Sequence, residues 1–338
     1  MEKRSKQWNK KHSIVAGIII LAACALSLGA GRYHVSPEEI LNALKELITG
    51  KQIVQPAVFR VICSIRLPRI LGALLCGAGL AVSGAAFQAV FSNPLASADT
   101  IGVGNAASFG AVLAILLGAD RLGIQISALM CGILAVLMVY IFSAGRDKKI
   151  LKLVLCGMIV STFFSSMVSF VKYAADPQDE LPSITYWLLG SLKNMSWDML
   201  FLGAVWIIPG LALLYALRWK LDVLMLSEDE AKTLGVSVFF IRMAAIVSAS
   251  AITSAVVSMC GQIGWIGLLI PHLCRIIYKG SNRNVIPSSI VYGGIFLLFT
   301  DTIARSISAS EIPAAILTSM IGAPLFLILL LRTGGIDE

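Results

Sequence analysis

Long apolar runs separated by short polar gaps fill the chain from residue 14 to residue 331. At about 1.5 Å per residue, a helical run of about 20 residues crosses the roughly 30 Å apolar core of a bilayer. Nine runs of this length and a shorter tenth one predict an all-α, polytopic membrane protein with ten transmembrane helices. The runs are 14–30, 70–91, 101–118, 123–143, 151–171, 199–217, 239–260, 287–304 and 313–331, with the short one at 263–274. They predict a single membrane domain over 1–338, with its bundle at about 14–332.

The run 70–91 differs from the others because it is rich in small residues. It has no charge and contains Gly72, Gly77, Gly79 and Gly84 together with six alanines. Small side chains allow neighbouring helices to approach closely within a membrane. The pattern therefore predicts a helix packed in the middle of a crowded bundle.

Two polar gaps carry helix signals of their own. In the gap 31–69, Ser36, Pro37 and Glu39 form a capping-box pattern, and apolar residues then recur at helical spacing. This pattern predicts an amphipathic helix on the outer surface. In the gap 218–238, Ser227 and Glu230 repeat the capping pattern, and Gly235 is typical of a helix end. A short helix at the inner face and a solvated turn both fit that gap.

Composition supports a membrane protein, and the distribution of charge predicts its orientation in the membrane. The chain is 57% hydrophobic and only 14% charged, which excludes a typical soluble domain. With the N-terminus inside, ten crossings place both termini in the cytoplasm and 17 of the 27 Lys and Arg residues on the inner side, as the positive-inside rule expects. Six of the other ten lie in the gap 31–69, including Arg66 and Arg69, where topology does not require them. The basic residues are spread over many gaps, so a nucleic-acid partner is not expected.

The sequence lacks the motifs of catalysis. There is no Walker-type GxxxxGK[ST] loop, no HExxH and no CxxC, so we expect no enzyme activity, cofactor or metal site. An ion-coupled secondary transporter would need acidic residues in the middle of its spans, and these runs have almost none. Asp301 and Arg305 are spaced i,i+4 near the end of a run, where a structural ion pair and a functional role are both possible. Pro94 and Pro271 either mark ordinary helix ends or interrupt helices at membrane depth.

Three groups of motifs together resemble one family, the FecCD-type permeases of bacterial ABC importers, also called type II importers, which take up iron–siderophore complexes, haem or cobalamin. The resemblance covers residues 14–332. The motifs are RLPR at 66–69 with NPLA at 93–96, GWIGLLIPHLCR at 264–275, and DxxAR at 301–305 followed by EIP at 311–313 and GAPLF at 322–326.

The resemblance implies a transport subunit of the bacterial cytoplasmic membrane that works by alternating access. Its implied partners are a second permease subunit, two separate ATPase subunits that hydrolyse ATP, and an extracytoplasmic substrate-binding protein. We expect an iron–siderophore or similar large metal chelate as cargo, with cobalamin and haem as alternatives within the family and an ion-coupled transporter as the alternative outside it.

The resemblance also implies roles for individual residues. Docking of the binding protein is implied for Arg66, Arg69 and Arg305, and a cytoplasmic gate for Asn93 and Leu95. Coupling to the ATPase is implied for Ser227, Asp229, Glu230, Ala231 and Gly235.

Overall fold

The structure is a computed structural model that describes residues 10–31, 33–143, 150–224, 230, 233, 237–278, 280–307 and 311–332. Within these ranges the regular structure is helical throughout. The α-helices are α1 (Lys10–Gly29), α2 (Pro37–Thr49), α3 (Pro56–Phe59), α4 (Leu67–Phe91), α5 (Val103–Leu116), α6 (Arg121–Ser143), α7 (Ile150–Ala174), α8 (Glu180–Leu188), α9 (Trp197–Val223), α10 (Val238–Cys260), α11 (Ile266–Tyr278), α12 (Asn282–Ile307) and α13 (Ala314–Arg332).

The helices confirm the predicted membrane architecture. Seven are long and apolar enough to cross a bilayer: α1, the continuous helix 56–91, α6, α7, α9, α10 and α12. The shorter apolar helices α5, α11 and α13 bring the total among the described residues to ten. The chain is therefore an all-α, polytopic membrane protein. The nine-residue helix α8 lies in a gap for which the sequence pattern predicted no helix.

The outer gap predicted from the sequence, 31–69, is too long, because a helix already begins at Pro56. Helix α3, a π-helical segment at Arg60–Arg66 and α4 form one helix from Pro56 to Phe91, so Arg66 and Arg69 lie on a helix and not in a loop. Pro68 does not end this helix because the wider π turns change the bonding before it. The amide of Leu67 donates to the carbonyl of Ile62, five residues back.

The same bonding pattern leaves one carbonyl without its helical partner. Five residues after Cys63 stands Pro68, which has no N–H to donate. The indole Nε1 of Trp197, at the start of α9, donates to the Cys63 carbonyl oxygen at 3.0 Å instead. The helix thus remains continuous through Pro68, and Trp197 satisfies the carbonyl that the proline leaves without a donor.

Helix α4 lies in the middle of the bundle, as its small residues predicted. It packs most extensively against α12 and also against α10, α11 and α9. A Cβ atom added at Gly77 would overlap the backbone of Gly293, and one added at Gly84 would overlap the backbone of Gly267. At these two positions the helices touch backbone to backbone, so only glycine fits.

The amphipathic helix α2 also has the predicted form. Ser36 Oγ accepts from the Glu39 amide at 3.2 Å, and Glu39 Oε2 accepts from the Ser36 amide at 2.8 Å. Ala43 is buried, whereas Leu41 and Ile48 are largely exposed. The apolar side of α2 is therefore only partly covered by the rest of the chain.

A break in the helical structure precedes Pro271. Residues 261–265 are non-helical, and α11 begins at Ile266, so that Gly267 contacts Gly84 well inside α4. Pro271 lies within α11, and Pro94 follows the end of α4. Of the two alternatives for these prolines, Pro94 fits an ordinary helix end, whereas Pro271 fits neither because α11 continues through it.

Candidate functional site

Arg69 on α4 is at the centre of a buried ionic cluster. Its Nε donates to both carboxylate oxygens of Asp301 on α12, at 3.0 and 2.9 Å, and its Nη2 donates to Asp301 Oδ1 at 2.8 Å. Its Nη1 donates to Glu311 Oε2 at 3.0 Å. Because guanidinium and carboxylate meet as two parallel pairs, the contact fixes direction as well as distance.

Arg66 and Arg305 extend this cluster to α1. Arg66 donates to the backbone carbonyls of Leu28 and Tyr33. Arg305 donates to the carbonyl of Ser27 and, at 2.6 Å, to its Oγ. Three helices, α1, α4 and α12, are thus tied together at one end of the bundle, which we call the arginine end.

The three arginines are not surface groups in this structure. Arg66, Arg69 and Arg305 are 4%, 5% and 6% exposed. Asp301 makes its close contacts with Arg69, while Arg305 Nε lies 3.8 Å from Asp301 Oδ2. The ion pair between Asp301 and Arg305 is therefore present but long. The close partner of Asp301 is Arg69, which lies 232 residues away in the sequence.

A cavity of about 740 Å³ adjoins the arginine end. Sequence reasoning missed it because its walls come from separate segments: the ends of α5, α6 and α10, helix α8, residues 191–199 and residues 311–313. Arg121 and Lys193 line it with exposed side chains, and Glu311, which binds Arg69, also lines it. Their separation along the chain leaves no motif by which the sequence could have revealed them.

The predicted gate residues lie at the other end of α4, which we call the opposite end. Asn93 and Leu95 follow a left-handed residue, Ser92, that ends the helix. The Leu95 amide donates to Asn93 Oδ1 at 2.8 Å, and the Asn93 amide donates to the Gln88 carbonyl. The result is a compact, exposed turn.

Most predicted coupling residues lie outside the described residues: Ser227, Asp229, Ala231 and Gly235. Glu230 is described and exposed, and its carbonyl accepts from Thr233 Oγ1 at 2.7 Å. Among the described ranges, no group of three or more His, Cys, Asp and Glu side chains is placed to hold a metal ion.

A model of the FecCD transport family matches residues 19–332, nearly the whole bundle. The chain belongs to the FecCD transport family. It is 39% identical over 324 residues to the molybdate import system permease protein of Haemophilus influenzae, covering 95% of this chain and 96% of that one. It is 33% identical to a Helicobacter pylori protein described as a probable iron chelatin transport system permease, covering 97% and 99%.

The fold of this FecCD protein has a solved counterpart. A metal-chelate type ABC transporter in an inward-facing conformation superposes with a TM-score of 0.87 at 37% identity, covering 96% of this chain and 100% of that one. The chain is therefore a multi-pass membrane permease of the ABC importer type, a transport component. The docking, coupling and gating roles of individual residues remain predictions.

Proposed function

We propose that this FecCD permease receives an iron–siderophore or similar large metal chelate from an extracytoplasmic binding protein and moves it across the bacterial cytoplasmic membrane by alternating access. The observation that carries the proposal is the match of the FecCD family over residues 19–332. Two polar ends separated by a bundle of apolar helices support it, because an importer has to meet a different partner on each side.

The proposal assigns one partner to each end. The arginine end faces the binding protein, and Arg66, Arg69 and Arg305 exchange their internal partners for its carboxylates on docking. The opposite end faces two ATPase subunits, which hydrolyse ATP and contact residues 227–235. Both termini are then cytoplasmic. A second permease subunit completes the assembly, and the exposed apolar residues of α7 and α13 are available to meet it.

Transport in this proposal is a rigid-body switch. Closure of the ATPase pair pushes the coupling loop, and the bundle passes between outward- and inward-facing states. The glycine contacts of α4 support this scheme because smooth backbone surfaces let helices shift without reorganising side chains. The turn at Asn93 and Leu95 then closes the cytoplasmic side.

A second candidate cargo is a small oxyanion. The 39% identity to a molybdate permease favours it, and so does the cavity lined by Arg121 and Lys193, whose charges attract anions. Anionic chelates and haem, which carry negative charge, would be attracted by the same two side chains. Cobalamin, the further alternative, does not depend on it.

The test is uptake into liposomes that contain the permease, its ATPase and its binding protein. Labelled ferric siderophore, haem, cobalamin and molybdate are supplied separately, each with and without ATP. We expect ATP-dependent uptake of the ferric siderophore. Uptake of molybdate alone would replace the chelate with the oxyanion, and uptake driven by an ion gradient without ATP would contradict the importer proposal.

A further inference from the structure

A second polar cluster lies at the opposite end of the bundle, around Arg275 of α11. Its Nε donates to Gln88 Oε1 on α4 at 3.3 Å. Its Nη1 donates to the Gly280 carbonyl at 2.9 Å, and its Nη2 donates to Asn282 Oδ1 at 3.0 Å. One guanidinium therefore joins the end of α4 to the start of α12.

Asp222, near the end of α9, holds the same turn from the other side. Its Oδ1 accepts from the Asn282 amide at 2.6 Å, and its Oδ2 accepts from Ser281 Oγ at 2.8 Å. Gln88 and Asn282 are 2% and 0% exposed. Buried hydrogen bonds of this kind are rigid because a partner that moves away leaves a polar group unsatisfied.

The position of this cluster links the two regions that the family resemblance marks as functional. Asp222 lies just before the segment that contains the predicted coupling residues 227–235. Gln88 lies five residues before Asn93, and its carbonyl accepts from the Asn93 amide at 3.1 Å. Hydrogen bonds, joined by the covalent bonds within Asn282, Arg275 and Gln88, thus connect α9 to the predicted gate turn.

We propose that Arg275 is a positioning residue that transmits displacement of the coupling loop to the gate turn at Asn93 and Leu95. The proposal rests on the proposed function. When the loop moves the end of α9, Asp222 moves residues 280–282, and the planar guanidinium moves Gln88 with them because its donors have fixed directions. Sequence reasoning gave Arg275 no role beyond its place in a motif.

The experiment separates transmission from folding. Arg275→Gln is compared with Arg283→Gln, an exposed arginine at the same end, in the assembled complex with its ATPase and binding protein. We expect Arg275→Gln to hydrolyse ATP within about twofold of the control while moving about tenfold less cargo per ATP, the size of effect typical for residues along a coupling network.

A spin label at Leu95 gives a readout that a purely structural role would leave unchanged. The label is introduced as an unnatural amino acid because the chain has seven cysteines. ATP should change the label's mobility in the control, and this change should be lost in Arg275→Gln although hydrolysis continues. If Arg275→Gln does not assemble, Asp222→Asn, which removes the charge at similar volume, replaces it with the same expectations.

Two results overturn the proposal. One is equal cargo per ATP in Arg275→Gln and the control; the other is an ATP-dependent change at Leu95 that survives the substitution. Both leave the importer function intact, since the control complex still transports. Failure of the control complex to transport any cargo would instead contradict the proposed function.

Discussion

The contacts of Arg69 show how much a single residue contributes when charges are buried. A buried ion pair adds little net stability over well-packed apolar groups, but removing one partner leaves the other charge without compensation. We therefore expect Arg69→Gln to lower the free energy of unfolding by about 3 to 5 kcal/mol, because Asp301 loses its bidentate partner.

Thermal unfolding in detergent measures this effect. The matched control is Arg283→Gln, whose side chain is exposed and whose loss should shift the midpoint very little. The double variant Arg69→Gln/Asp301→Asn should recover part of the loss. Equal midpoints for the Arg69 and Arg283 variants would show that the cluster is not held as the structure describes.

Gly84 is constrained by space. Its added Cβ would overlap the carbonyl oxygen of Gly267, a backbone atom that cannot rotate away. Overpacking of this kind costs about 1 to 3 kcal/mol or more, so Gly84→Ala should lower the unfolding midpoint clearly. Gly17→Ala on α1 is the control, since nothing lies near its Cβ position; a midpoint loss as large there would refute the packing argument.

Helix α2 depends on its capping box. The hydrogen bond that the Ser36 amide donates to the Glu39 carboxylate is the main cause that lowers the pKa of Glu39 below its ordinary value. Because the folded pKa is lowered, this stabilisation is fully present above the ordinary glutamate pKa of about 4.3 and is lost as the pH falls through the lowered pKa.

Hydrogen exchange of the first turn of α2 tests this dependence. At pH 7 we expect faster exchange in Glu39→Gln than in the unmodified chain, after correction for intrinsic rates. The difference should disappear in acid, where Glu39 is protonated and the variant is unchanged. A difference that stays constant across this pH range would rule out a role for the carboxylate charge.

The elements differ in how far the sequence could predict them. Apolar runs predicted the spans because the bilayer imposes length and hydrophobicity, and the pattern Ser36 to Glu39 predicted α2 because its bonds are local. The continuation of the helix 56–91 through Pro68 could not be predicted, since the carbonyl that the proline leaves without a donor is bound by Trp197, 129 positions later in the chain. Likewise the sequence marks Arg69 and Asp301 separately, but no local pattern pairs them, because they lie 232 residues apart.

Docking of the binding protein at the arginine end can be tested directly. Arg66→Lys and Arg305→Lys keep the charge but lose the guanidinium fork that binds carboxylates in pairs. If these arginines meet the binding protein, we expect its affinity for each folded variant to fall about tenfold, which corresponds to about 1.4 kcal/mol.

The affinity is measured by surface plasmon resonance, with the permease immobilised in nanodiscs and the cargo-loaded binding protein in solution. Arg283→Lys, at the opposite end, is the matched control and should bind as the unmodified chain does. Unchanged affinity in both test variants would mean that the buried arginines only hold helices together. Exposed residues such as Arg121 and Lys193 would then be the candidates for contact with the binding protein.

The π segment before Pro68 also restricts how the sequence can change in evolution. A π turn holds one residue more than a regular α-helix, so deleting one residue from 60–66 would restore the regular helix. Pro68 would then meet a carbonyl four residues back, at a cost of about 3 kcal/mol, unless the proline changed as well. The extra residue, the proline and Trp197 are therefore expected to be inherited as one unit, appearing or disappearing together among descendants of a common ancestor.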